Sequence, residues 1–297
     1  MGMIDVAMLG SFAKDRIVYR GITEISSGGG VYYGSVALRR LGFSVAVITR
    51  LHPDDFGRLD ELRAEGVDVH AAPAPQTTGI ENISPTEEMD RRICRPLAFA
   101  GPFAPDEIPV INARVTIITP LMAGEVDRAI VAGVAARSRV GLDVQGFVRV
   151  PRGETLVTVP WAEMPEVLAH VTYIKLDDAE AEVLVGETDL KRAAAAVARF
   201  GPREVVLSHG RGLVVWADGQ IHEAPFAPLD VRGRTGRGDT CFASYVAARL
   251  RMAPPMACRF AAAVTSLKME HPGPFRGNQA DVEQVMARLG AEPSPPA

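Results

Sequence analysis

The segment Asp230-Val231-Arg232-Gly233-Arg234-Thr235-Gly236-Arg237-Gly238-Asp239 runs straight into Thr240-Cys241-Phe242-Ala243-Ser244-Tyr245-Val246-Ala247-Ala248-Arg249-Leu250. The first half is a polar loop rich in Gly and Arg. The second has the spacing and residue types of a helix over Thr240–Leu250. Gly236 and Gly238 let the chain turn tightly, and the helix that follows brings its unpaired N–H groups and positive dipole end to the same point. Such a point suits an anion, above all the charge spread over a transferring phosphoryl group. Asp239, beside it, could accept the proton of an attacking hydroxyl. An acid in a first helical turn is also a common stabilising choice, so the loop alone leaves both readings open.

Working outward, short apolar, β-branched runs recur at Ile4–Leu9, Val45–Thr49, Val115–Thr119, Val140–Val144, Val171–Lys175 and Val205–Ser208. Segments with helical periodicity follow most of them: Glu125–Arg137, Ala179–Val185 and Leu190–Phe200, besides Thr240–Leu250. Buried strands alternating with helices predict a largely parallel sheet covered on both faces, with its active site at the carboxyl ends of the strands. Arg16–Ile25 and Thr77–Leu97 break the pattern. They are polar, alternating and poor in helix formers, and read either as a small projecting sheet over a pocket or as surface hairpins. The expected organisation is one α/β domain over residues 1–291, with lid segments at roughly 13–28 and 76–100, and a disordered tail at 292–297.

Composition narrows the classes. A hydrophobic fraction of 47% and a charged fraction of 23% are ordinary for a packed globular protein. A formal net charge of -4 gives no basic footprint for nucleic acid. Cys94, Cys241 and Cys258 form neither a C-x-x-C pair nor a zinc pattern, which favours a reducing, cytoplasmic compartment. The first residues pass directly into a core-like strand, so no signal peptide is expected, and no apolar stretch is long enough for a bilayer.

Several motifs in order along the chain resemble the ribokinase-like, or PfkB, family of carbohydrate and nucleoside kinases. Thr235–Asp239 is similar to the end of that family's D-T-T-G-A-G-D signature. Leu9-Gly10-Ser11 with Asp15 resembles its first strand and substrate-binding aspartate. Gly28-Gly29-Gly30, then Ala37 and Leu41-Gly42, resembles its amino-terminal glycine signature. Asp54-Asp55-Phe56-Gly57 with Glu65-Gly66-Val67 is similar to the G-x-D-x-x-G…G-V segment. Lys175-Leu176-Asp177-Asp178-Ala179-Glu180 resembles the segment ending in N-x-x-E, and Ser208-His209-Gly210-Arg211-Gly212 the T-x-G nucleotide loop.

The resemblance implies a three-layer α/β sandwich with a small β lid, transferring the γ-phosphoryl of ATP to a hydroxyl of a small sugar or polyol. Asp239 would be the base, with Gly236, Arg237 and Gly238 as the anion hole. Asp15, Gly29, Gly30 and Tyr33 would meet the acceptor. Lys175, Ser208, Gly210, Gly212 and Thr235 would hold the nucleotide, with adenine near Ala262–Lys268. Asp177 and Glu180 would position Mg²⁺ through its water ligands. Asp143, Gln145 and Arg149 follow a strand at the active-site edge, where they could line the acceptor pocket or simply make a polar turn. Arg91, Arg92, Glu81 and Asn82 fall in the lid, where they could touch substrate or simply be solvated, and His209 and His271 read as structural.

The departures from the family pattern are informative. Tyr33 stands where the family commonly has Asn, and a glycine turn followed by Tyr resembles some archaeal-type polyol kinases, which favours an inositol- or sugar-like acceptor. Gly233 replaces the Asp of a monovalent-cation site, Asp177 replaces Asn, and Arg237 replaces Ala, pointing either to solvent or to phosphate. A nucleoside kinase and a non-catalytic sugar-binding regulator are the alternatives, and a homodimer through the lid is open. A dinucleotide-dependent oxidoreductase is disfavoured because Gly10-Ser11-Phe12-Ala13-Lys14 lacks G-x-G-x-x-G.

Overall fold

The structure, a computed structural model, describes residues 2–19, 21–84 and 93–291; Arg91, Arg92 and the tail 292–297 lie outside them. The strands are β1 Ile4–Leu9, β2 Ala13–Tyr19, β3 Ile22–Gly28, β4 Val45–Leu51, β5 Asp68–Pro73, β6 Gly79–Ser84, β7 Ile93–Ala98 and β8 Ala113–Ile118. They continue as β9 Arg139–Asp143, β10 Arg149–Arg152, β11 Thr155–Thr158, β12 Tyr173–Asp177, β13 Glu204–His209, β14 Gly212–Ala217 and β15 Gln220–Pro225. The helices are α1 Gly30–Arg40, α2 Asp60–Ala64, α3 Arg128–Ala135, α4 Gln145–Val148 and α5 Met164–Leu168. They continue as α6 Asp178–Val185, α7 Leu190–Ala198, α8 Arg237–Ala248, α9 Pro254–Met269 and α10 Gln279–Ala291.

Nine strands form the main sheet, in the order β15-β14-β13-β12-β9-β8-β1-β4-β5. From β13 to β5 the neighbours run parallel, and β14 and β15 add an antiparallel hairpin at one edge. Alternate residues of each strand serve opposite cores. Met8, Val47, Ile117 and Val206 pack against α1, α8 and α9. Leu9, Ile48, Ile118 and Val205 pack against α3, α5 and α7. This two-sided burial explains why the strands read as continuous apolar runs. Tyr245, Phe242 and Phe260 are among the largest fully buried side chains, each contributing about 1.5–3 kcal/mol of transfer free energy.

The order also reverses at β1: β4 and β5 lie to one side, β8 and β9 to the other. Connections therefore leave the sheet in opposite directions and open a crevice beyond the carboxyl ends of the strands. A second sheet, β3-β2-β6-β7, is built from the two polar, alternating segments. It stands across that crevice and brings Asp15, Ile80, Asn82 and Cys94 to its edge. β10 and β11 form a separate ribbon. Among the described residues no helix is long and apolar enough to cross a membrane.

Candidate active site

One cavity of about 490 Å³ opens at the crevice, within the usual range for small-molecule sites. Most of the residues expected from sequence meet there. Thr235, Gly236, Arg237, Gly238 and Asp239 line one wall, and Lys175, Asp177, Ser208 and Gly210 continue it. Asp15, Gly29, Tyr33 and Arg149 line the opposite part.

The wall around Asp239 is fixed by a backbone turn. Gly236 is the N-cap of α8 in the left-handed region, at φ 79. A Cβ there would lie 2.3 Å from the ring of Tyr33, so glycine is required on both conformational and steric grounds. The first turn of α8, with Gly238 and Asp239 in it, thus lines the cavity and brings the positive end of the helix to it, while the Arg237 N–H is taken up by the Arg234 carbonyl. Arg237 lines the cavity and its guanidinium stacks over Phe226 at 6.0 Å, so its charge belongs to the site.

Lys175 ends a second wall. Its Nζ donates to Asp143 Oδ1 at 3.1 Å and lies 3.8 Å from Glu180 Oε2. A Cβ on Gly238 would be 3.6 Å from Nζ, which places the ammonium against the anion loop. Burial opposes the charge, but Asp143, Glu180, Asp177 and Asp239 outweigh it and hold the amine above its ordinary range. Lys175 is therefore a fixed cation, able to meet an anionic phosphoryl group without titrating near neutrality.

Asp177 and Glu180 form a reciprocal capping box on α6: Glu180 N–H donates to Asp177 Oδ1, and Asp177 N–H to Glu180 Oε2, both at 2.8 Å. Glu180 is 3% exposed and does not line the cavity. Desolvation pushes its carboxyl above the ordinary carboxylate range, against the pull of Lys175. For a divalent cation the donor set fits only in part. Asp177 faces the cavity and could hold water ligands of a donor-bound Mg²⁺. Glu180 is turned inward, towards Lys175, and supports Asp177 rather than reaching a metal.

Other expected residues take different places. Gly30 is packed, not exposed to a ligand: a Cβ on it would lie 1.7 Å from Thr119 Oγ1, so the glycine turn presses onto the end of β8. Asp143 sits behind Lys175 at 2% exposure. Gly212 starts β14, where a Cβ would lie 2.6 Å from the Ala224 carbonyl oxygen. Ala262–Lys268, expected beside an adenine, does not line the cavity. The chain after β15 is fastened along that helix: Ala227 N–H donates to Ser266 Oγ, and both Arg232 N–H and Gly233 N–H to the Met269 carbonyl.

On the opposite side Asp15 Oδ1 accepts the Ile80 N–H of β6 at 2.9 Å. Tyr33 turns its ring under Gly236 instead of presenting only a phenol. Sequence reasoning missed Arg234, Cys94, Leu121 and Ile80 as cavity walls. Arg234 stood inside the quoted loop and its charge was the available signal. The others are apolar or weakly polar and carried none.

A family model described as pfkB family carbohydrate kinase matches residues 12–280. Among solved structures, a pyrophosphate-dependent kinase in the ribokinase family, in a sulfate complex, is 36% identical, with a TM-score of 0.87 over 94% of this chain and 99% of that one. A pyrophosphate-dependent myo-inositol-1 kinase converted to a myo-inositol-3 kinase by exchanging an asparagine and a serine for leucines is 34% identical. That match has a TM-score of 0.86, over 95% of this chain and 99% of the other. An Arabidopsis thaliana ribokinase with ribose and ATP is 19% identical at a TM-score of 0.77, over 96% and 99% of the two chains, and shares the fold.

Proposed function

Because the chain belongs to the pfkB family of carbohydrate kinases, we propose that it phosphorylates a hydroxyl of a cyclic polyol such as myo-inositol, with inorganic pyrophosphate as donor. The observation that carries the donor reading is the covered face of α9. The N–H groups of Ala227, Leu229, Arg232 and Gly233 are hydrogen-bonded to Ser266 Oγ, Glu270 Oε1 and the Met269 carbonyl at its C-terminal end, and Ala262, Val264, Thr265 and Ser266 are each 0% exposed. A purine would have to displace that segment. The phosphate end, in contrast, is complete: an anion loop, Lys175, and the cavity-lining Arg234 and Arg237. Concentrated positive charge, with Ala262–Lys268 closed off from the cavity, suits a donor that is all phosphate. The relatives that share about a third of their residues with this chain are described as pyrophosphate-dependent, and two of them as acting on or binding myo-inositol.

In this reading the acceptor lies between Asp15, Gly29, Asn82 and Arg149, with one hydroxyl towards Asp239. A carboxylate such as Asp15 accepts hydrogen bonds from hydroxyls and penalises analogues lacking them. Asp239 takes the proton of the attacking oxygen as the bond to phosphorus forms. The first turn of α8 and Lys175 stabilise charge on the transferring group, and the leaving phosphate departs towards Ser208 and Gly210. When bound with the donor, Mg²⁺ would neutralise phosphate charge beside Asp177.

The test is a grid of acceptors (inositols, pentoses, hexoses, nucleosides) against pyrophosphate and ATP with Mg²⁺, following released phosphate or ADP. Pyrophosphate-dependent phosphorylation of an inositol is expected, with kcat reduced about 10²–10⁴-fold in Asp239→Asn. ATP matching pyrophosphate in kcat/KM would overturn the donor assignment. Transfer to no acceptor from either donor would overturn the kinase assignment.

A further inference from the structure

Lys268 is the most deeply buried cation near the site, at 1% exposure, yet it does not line the cavity. Burying an ammonium is costly, and its neighbours on α9, Val264, Thr265, Ser266, Leu267 and Met269, carry no opposite charge. An aliphatic residue would fill the same space without that cost, so the charge needs an explanation.

Its surroundings supply one. Lys268 Nζ donates to the Gly233 carbonyl at 2.9 Å and lies 5.7 Å from the centroid of the Tyr33 ring. Gly233 is held from its other side by its N–H on the Met269 carbonyl, and a Cβ at 233 would lie 2.3 Å from the His271 carbonyl oxygen. Tyr33 in turn lies directly against Gly236. The ammonium therefore touches both supports of the anion loop, the backbone at its start and the aromatic ring beneath its cap. Its place in the last turn of the sixteen-residue α9 suits a cation.

The charges acting on it are balanced. Burial lowers the amine to about 7, Asp239 on α8 favours the charged form, and Arg237 on α8 opposes it. Tyr33 on α1 presents its ring face, a weak attraction for a cation. An arriving polyphosphate adds negative charge on the loop above and tips this balance towards the ammonium.

Resting on the donor reading above, we propose that Lys268 is a positioning residue for phosphoryl transfer: a buried internal cation that holds the 233–236 loop in its anion-binding shape and takes a proton from solvent as the anionic donor binds.

The test combines kinetics with calorimetry on the full chain. Pyrophosphate binding at pH 7.5, in buffers of different ionisation enthalpy, should show more proton uptake in wild type than in Lys268→Met; the donor's own ionisation is common to both. Lys268→Met should lose about tenfold or more in kcat/KM for pyrophosphate with little change in the acceptor KM, and added methylammonium should restore it saturably. Lys268→Arg should keep turnover and lose the extra proton. Equal proton uptake in wild type and Lys268→Met, or unchanged turnover, would overturn the proposal. If Lys268→Met does not fold, wild-type proton uptake in Lys268→Arg would overturn it. A wild type that binds pyrophosphate with extra proton uptake but phosphorylates no acceptor would count against the kinase assignment and not against this role.

Discussion

Gly236 caps the loop on which the proposed mechanism relies. It combines a left-handed backbone with a Tyr33 ring 2.3 Å from any added Cβ, so Gly236→Ala must shift the loop, the ring or both. Turnover should fall at least 100-fold, and thermal unfolding should report a stability loss of about 1–3 kcal/mol, typical of such strain. Unchanged kcat would mean that the loop adapts without using this geometry. At this scale the sequence was readable where a residue's chemistry declares itself. Asp239, the glycines beside it, and Asp177 all reached the cavity. Tyr33 was visible as a departure, but its ring direction depends on where α8 begins and could not be read from α1. Lys268 was hidden because one lysine in an alanine-rich helix looks like a solvated residue.

Helix α8 is held at both ends. Its first turn faces the cavity, and near its far end Tyr245 Oη donates to Glu204 Oε2 at 2.5 Å while Arg249 makes a forked pair with the same carboxylate. Glu204 is 6% exposed and starts β13, so the helix is pinned to the sheet edge opposite the anion loop. Glu204→Ala would leave Tyr245 without its acceptor and Arg249 with the Met252 carbonyl in place of the carboxylate fork. A loss of about 3 kcal/mol in urea unfolding is expected, with the acceptor KM nearly unchanged. Element types were legible because the strands are buried on both faces, and each of the six apolar runs overlaps a parallel strand. Boundaries were less so. The helix expected from Glu125 begins at Arg128, because Asp127 caps it through the Ile130 N–H. Glu125 itself is drawn inward to accept from Ser11 N–H at 2.6 Å and Leu121 N–H at 2.8 Å. The β14–β15 hairpin and the β10–β11 ribbon escaped notice because their strands are short or lie at an edge.

Across the whole molecule, the joint between the main sheet and the covering sheet is polar and buried. Thr78 Oγ1 donates to Ser11 Oγ, the Ala100 N–H donates to Thr78 Oγ1, and Ser11 N–H reaches Glu125. Desolvation raises the Glu125 carboxyl to about 7, despite these backbone donors. The native state therefore keeps a proton that the unfolded chain releases near its ordinary value of 4.5. The stability this group contributes is complete below about 4.5 and is lost as pH rises through 7, a change of no more than about 3 kcal/mol. Urea midpoints measured from pH 5 to 8 should fall in wild type and be flatter in Glu125→Gln; parallel slopes would remove Glu125 from this account. Packing of this kind was beyond reach of the sequence, since it joins residues more than a hundred positions apart. The contact between Tyr33 and Gly236 has a further consequence for anyone wishing to retune this catalyst. In the proposed mechanism the acceptor wall and the phosphate loop share one interface, so a bulkier ring at position 33, introduced to shrink the pocket, would push on the turn assigned to phosphate. Selectivity and speed are thereby inherited together, and variants that change one should need compensating changes across that seam to recover the other.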